Sequence, residues 1–296
     1  SLTNVDFSLG FTPATNTQTT VSVDATAFTN CTGVVSATFP AGKRADSLFP
    51  DSYERLVSVQ VATGMPTLAY RLCDGCTSLE SVTLPAGVTN VSVRAFADCA
   101  SLASIEIPGS VATIGAGAFS NCTALAAIAL PEDAASIGKS AFRGCTSLTN
   151  VAILAQGYKA DATSFAGCDA VESVTAHPSR PMRDVFPDSY RASIRHIAIL
   201  VPETDDDADD DADEDSDDGA SVAICSNFCE DCRALEEITL PEGVTTIGYR
   251  AFFGCLAATN SVTVPESVTS IGQLAFAYCR EIDRVYYMGD APDVRT

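Results

Sequence analysis

The chain has 296 residues, 46% of them apolar, and its 38 acids against 17 bases give a net charge of −21. That balance disfavours nucleic acid and anionic membrane as partners, since both are polyanions. No apolar run reaches the ~18 residues of a spanning helix, so no membrane insertion is expected from this segment.

A strand is expected at the first residues. Ser1-Leu2-Thr3-Asn4-Val5 is identical to Ser147-Leu148-Thr149-Asn150-Val151, so the chain opens inside a repeat and reads as part of a longer array. Cys31 begins a cadence. Tyr53 takes the cysteine slot 22 residues later, with Leu56, Val59 and Val61 in register behind it, and Cys76 follows after 23 more. Cys99, Cys122, Cys145 and Cys168 then repeat at intervals of 23. A fixed period of this size marks a solenoid of stacked coils.

Each repeat reads C-x-x-L-x-x-(V/I)-x-(L/I/V)-P-x-x-V-x-x-I-G-x-x-A-F-x-x. Val82 and Leu84 are two residues apart, the strand period, so they should face inward and Ser81 and Thr83 outward. Pro85 has no N–H for a ladder and should end the strand. A second apolar set, such as Val111, Ile114 and Phe119, should line the other side of the coil. The glycine after isoleucine (Gly115, Gly138, Gly248, Gly272) is expected at a tight turn or a positive φ. Parallel pairing would advance the stack by roughly 4.8 Å per coil.

Past Cys168 the pattern loosens to Val171, Val174 and Thr175, then Ile194, Ile197 and Ile199. Residues 47–59 and 184–197 share Phe-Pro-Asp-Ser-Tyr and read as copies of one variant coil. Arg191 to Cys232 spans 41 residues, and removing about 18 restores the period, which identifies an insertion at about 203–219. It holds twelve acids and no base, leaving about −9 for the rest of the chain. Dense like charge and low hydropathy predict disorder for it alone. Three readings stay open: a solubilising loop, a partner-binding tail and a weak calcium site. For calcium, Asp213, Asp215 and Asp217 alternate as in the first half of an EF-hand loop. Asp218, however, takes the glycine position and Ile224 the bidentate glutamate position. The cadence resumes at Cys232, Cys255 and Cys279. Residues 1–296 thus read as a single solenoid of about eleven coils plus a partial one.

Nine of the twelve cysteines (31, 76, 99, 122, 145, 168, 232, 255, 279) share one slot. In-register stacking points their side chains the same way, which suits a disulfide poorly. They should form a buried column of thiols acting as small hydrophobes. Cys225, Cys229 and Cys232 have the spacing of a radical-type iron–sulfur motif, but Cys229 and Cys232 occupy ordinary repeat slots. Gly138-Lys139-Ser140 imitates the end of a P-loop, yet Asp133 stands where its first glycine belongs. His177 and His196 have no Ser or Cys arrangement that spacing connects into a triad. Asn30, Asn90 and Asn121 lie in glycosylation sequons, too few in a Ser- and Thr-rich chain to establish secretion.

The cassette, followed by Tyr287-Met288-Gly289-Asp290-Ala291-Pro292 near the end, resembles the BspA-type leucine-rich repeat. The resemblance implies an α/β-type repeat solenoid, a right-handed coil with one parallel concave sheet and otherwise turns and short helical segments. It implies roles at bacterial and protist surfaces in adhesion, hence a protein partner, an extracellular or cell-surface location and no enzyme. It carries no residue-level site and no cofactor.

The outward strand positions, such as Ser81/Thr83, Ala127/Ala129 and Ser261/Thr263, are small and polar, and the chain has no Trp. Interface hot spots favour Trp, Tyr and Arg, so Arg284, Tyr286 and Tyr287 form the candidate binding patch. The leading reading is a non-catalytic interaction or adhesion module. An alternative is a structural spacer or scaffold subunit with end-to-end contacts to adjoining repeats or subunits, and a remote one is an iron–sulfur enzyme.

Overall fold

The computed structural model describes residues 2–6, 26–39, 42–64, 66–186, 192–201, 221–289 and 293–294. The acidic insertion, with Asp213, Asp215 and Asp217, lies outside the described residues. The chain divides into two compact units: Ser1–Val171 with Asp184–Tyr190, and Glu172–Arg183 with Arg191–Thr296.

In the first unit, β1 (Asn4–Asp6), β2 (Ser36–Phe39), β3 (Ser58–Val61) and β4 (Ser81–Thr83) pair in parallel. The register runs Val5, Ala37, Val59, Val82, one repeat per step. A second ladder joins the two-residue strands β5 (Asn90–Val91), β6 (Thr113–Ile114), β8 (Ser136–Ile137) and β10 (Lys159–Ala160). Between them in sequence, β7 (Ala127–Leu130) pairs with β9 (Asn150–Ile153). The second unit repeats the scheme. Its β11 (Ser173–Ala176) pairs with β12 (His196–Ile199), and β15 (Asn260–Val264) with β17 (Ile282–Tyr287). The other ladder runs β13 (Val222–Ile224), β14 (Val244–Ile247), β16 (Ser270–Ile271) and β18 (Asp293–Val294). Helix is confined to α1 (Ala45–Leu48) and short 3-10 turns at Tyr53–Arg55 and Met182–Asp184 among the described residues.

The repeat solenoid is therefore as the sequence indicates, with a second ladder in addition. The inner apolar set at Val91, Ile114 and Ile137 lines the coil and also pairs with its neighbours. The outward register holds: Ser81, Thr83, Ala127, Ala129, Ser261 and Thr263 are exposed. One slot is corrected. Val174 and Ala176 are the buried residues of β11, and Thr175 lies on the outer side.

Two recurring rows of side chains stand out in the coils. The phenylalanines stack: Phe96–Phe119, Phe119–Phe142 and Phe142–Phe165 have ring centroids 5.5, 5.3 and 5.0 Å apart at interplanar angles of 17°, 4° and 10°. In the second unit Phe252 and Phe276 stack at 5.5 Å. Of the nine slot cysteines, seven are buried as expected, and Cys31 and Cys279 are half-buried. The thiols of Cys122, Cys145 and Cys168 donate to the carbonyls of Phe96, Phe119 and Phe142 in the preceding coil, at 3.1, 3.2 and 3.1 Å. The twelve cysteines form no disulfide. The polar thiol hydrogen thus meets a backbone acceptor without leaving the apolar row.

The glycine row is explained differently from the sequence expectation. Gly115, Gly138, Gly248 and Gly272 do not have positive φ. A Cβ on Gly115 or Gly138 would lie 2.6 Å from the backbone nitrogen of Val93 or Ala116, and one on Gly272 would lie 2.5 Å from that of Tyr249. Close backbone approach between coils excludes a side chain there.

Candidate interaction surface

In several coils the segment after this position makes a turn with two left-handed residues, five positions and one position before the slot cysteine. The earlier position is Arg94, Gly117, Ser140, Asn227, Arg250 or Leu274, and the later one Asp98, Asn121, Gly144, Asp231, Gly254 or Tyr278. The left-handed bend turns backbone N–H groups onto the next coil: Asn121 donates to the Arg143 carbonyl at 2.7 Å and Gly144 to that of Ala166 at 2.9 Å. Gly, Asn and Asp suit this conformation; bulky residues adopt it at a cost of roughly 1–2 kcal/mol.

Leu274 and Tyr278 break that rule, with φ of 60° and 63°. Their side chains are not used as core: Tyr278 is 62% and Leu274 43% exposed. The same turn face of the second unit carries the exposed Tyr249 and a tight cluster beneath it. The Arg250 guanidinium lies 3.7 Å from the Phe253 ring centroid, and Phe253 meets Tyr278 edge-on at 4.9 Å. Glu230 fixes Arg250 by a 2.8 Å ion pair and accepts Arg183 at 2.8 Å on its other oxygen. A held cation stacked on an aromatic beside exposed Tyr and Leu has the composition of an interface hot spot.

The sequence-predicted patch is split by the strand. Arg284 and Tyr286 are both exposed on β17, and the Arg284 Nη1 donates to the Tyr286 hydroxyl at 3.3 Å. Tyr287 is half-buried in register with the buried Val264, and its hydroxyl donates to the Val268 carbonyl at 3.4 Å. Arg284 and Tyr286 thus share a face and Tyr287 turns to the other. Sequence reasoning passed over Tyr249, Leu274 and Tyr278. For Leu274 and Tyr278 the available signal was a large apolar residue where sister coils use Gly, Asn, Asp, Ser or Arg; Tyr249 sits where they carry Val93, Ala116, Lys139, Ser226 and Gln273.

His196 is exposed, with Nε2 3.9 Å from Glu236, and His177 is buried. Cys229 and Cys232 lie buried in their repeat slots, and no group of three metal-ligating side chains occurs among the described residues. No helix among them is long and apolar enough to cross a membrane.

Among solved structures, the chain is similar to a leucine-rich repeat protein from Bacteroides ovatus, at 19% identity over 97% of this chain and 64% of that one, with a TM-score of 0.43. It is also similar to the T. pallidum leucine-rich repeat protein, at 26% identity over 57% of this chain and 64% of that one, with a TM-score of 0.37. The chain therefore spans less than two thirds of the length of either. No curated protein matches it. The description BspA type Leucine rich repeat region matches in six copies, over residues 66–180 and 222–291. With the period, the cysteine column and the stacked phenylalanines in place, the chain belongs to the BspA-type leucine-rich repeat family.

Proposed function

We infer that the chain is a non-catalytic protein-interaction module of adhesion type, working outside the cell or at its surface. The turn face of the second unit carries this reading. Leu274 and Tyr278 spend stability in left-handed conformations and leave their apolar side chains in solvent. Strain retained at exposed side chains, for only the edge contact of Tyr278 on Phe253, points to a functional surface. The strand face, apart from Arg284 and Tyr286, offers small polar groups without anchors. The recurring cadence, resumed after the insertion, supports one array along residues 1–296 as the scaffold for such a face.

Matched baits test the reading: the wild-type chain and a Leu274→Asn/Tyr278→Asn variant, each used to capture surface proteins from cells. Asn tolerates the left-handed region, so the variant should be no less stable. It should lose a partner that wild type retains. Identical capture by both baits would refute the assignment of this face.

A further inference from the structure

The geometry points to a second binding site, a groove of the first unit that takes an acidic peptide segment of a partner protein, through Lys139 and Arg143. The groove measures about 530 Å³ and crosses three coils. That volume falls within the roughly 300–1,000 Å³ of ligand sites. Ala116 and Gly117 form a low floor between two taller coils, one bearing Val93 and Arg94, the other Lys139, Ser140 and Arg143.

The charge here opposes that of the molecule. Lys139 and Arg143 are exposed; Asp161 lies within electrostatic reach of Lys139, and neither cation forms an ion pair of 4 Å or less among the described residues. Arg94 is already engaged: Nε and Nη2 hold both oxygens of Asp74 at 2.9 and 2.8 Å, and Nη2 also meets Asp98 at 2.8 Å. Asp98 in turn accepts the Asn121 amide at 2.8 Å. With Arg71 also paired to Asp74, one wall is a neutralised, positioned network, and the other presents two exposed cations, of which Lys139 is partly offset by Asp161. Basic side chains placed in this way are the usual readers of acidic motifs.

Peptide is favoured over acidic polysaccharide by the lining, which contains no aromatic ring to stack on a sugar. The spacing agrees. Two coil steps are about 10 Å, close to three residues of extended chain at about 3.3 Å each. A peptide laid along the stacking direction could then set a carboxylate on the Lys139–Arg143 wall and a backbone carbonyl near the second hydrogen of the Asn121 amide. This surface is independent of the Leu274–Tyr278 face, so either can fail without the other.

A labelled synthetic peptide with the sequence of residues 203–218, sixteen residues carrying twelve acids, serves as the probe in fluorescence anisotropy against the full chain. Binding should be measurable at about 50 mM salt and weaken as salt shortens the Debye length. Lys139→Glu and Arg143→Glu should each lower affinity about tenfold or more, with the circular dichroism unchanged. Arg55→Glu makes the same change in net charge away from the groove and should have little effect. Absence of peptide binding at low salt, or equal losses in all three variants, would overturn the site. Lys139-dependent binding of polygalacturonate without binding of the peptide would overturn the choice of ligand.

Discussion

The Cys122 thiol donates to the carbonyl oxygen of Phe96, 26 residues earlier, across 3.1 Å. The same bond recurs from Cys145 to Phe119 and from Cys168 to Phe142. It ties the cysteine column to the phenylalanine stack. The slot therefore selects a residue small enough for the row and able to satisfy a buried carbonyl.

The stack should carry much of the stability. Phe119→Ala and Phe142→Ala each remove a fully buried ring flanked by two others, and each should destabilise the chain by about 3–5 kcal/mol in urea titrations. A loss of less than about 1 kcal/mol would mean that neighbouring coils collapse onto the gap.

Burial also fixes the chemistry of the thiols. It pushes Cys122 up to about 12 from 9.0, and raises Cys99 as well. The unfolded chain ionises these groups near pH 9 and the fold does not, so the unfolded state binds fewer protons above that value. Stability from these groups should stay constant below pH 9 and fall as pH rises from 9 toward 12. Urea midpoints that remain flat to pH 11 would contradict the buried column.

In alkylation of the native protein, the half-buried Cys31, Cys225 and Cys279 should react first, while the nine buried thiols wait for unfolding. Cys279 should lead, because a hydrogen bond from Cys255 lowers its pKa. Denatured, unreduced protein should yield all twelve thiols. Rapid native labelling of Cys122 or Cys145 would show that the column is open.

Gly138→Ala tests the close approach. A methyl group 2.6 Å from the Ala116 nitrogen forces two coils apart, and overpacking of this kind costs about 1–3 kcal/mol. Gly109→Ala, where a Cβ meets nothing within 4 Å, is the control and should be nearly neutral in the same melt.

Deleting Thr204–Asp218 should leave a folded chain at least as stable as wild type. Loop length contributes only slowly to closure entropy, and the deletion relieves like-charge repulsion. Calorimetry of the intact chain should find no tight calcium site, since the run lacks the EF-hand glycine and terminal glutamate. A deletion variant that fails to fold, or a stoichiometric sub-micromolar site, would make the insertion a structural centre.

The sequence by itself determined the period, the inward residues and the two rows, because those follow from a local alternation repeated at a fixed interval. Val59, Leu79, Ile114 and Phe119 could be placed in the core from spacing alone, and all are buried. Arg284 and Tyr286 could be placed on one face by strand alternation, but Tyr287 falls on the other by the same rule. What only the tertiary structure decided concerns distances between coils. Whether Gly138 is a turn glycine or a contact glycine depends on how near Ala116 comes. Likewise, the second ladder exists only because Val91, Ile114 and Ile137 arrive side by side. The Lys139–Arg143 groove depends on turns whose N–H groups reach the neighbouring coil's carbonyls, as Asn121 reaches Arg143 and Gly144 reaches Ala166. A one-dimensional pattern records which residues recur, and the stacking alone fixes which atoms of successive repeats meet.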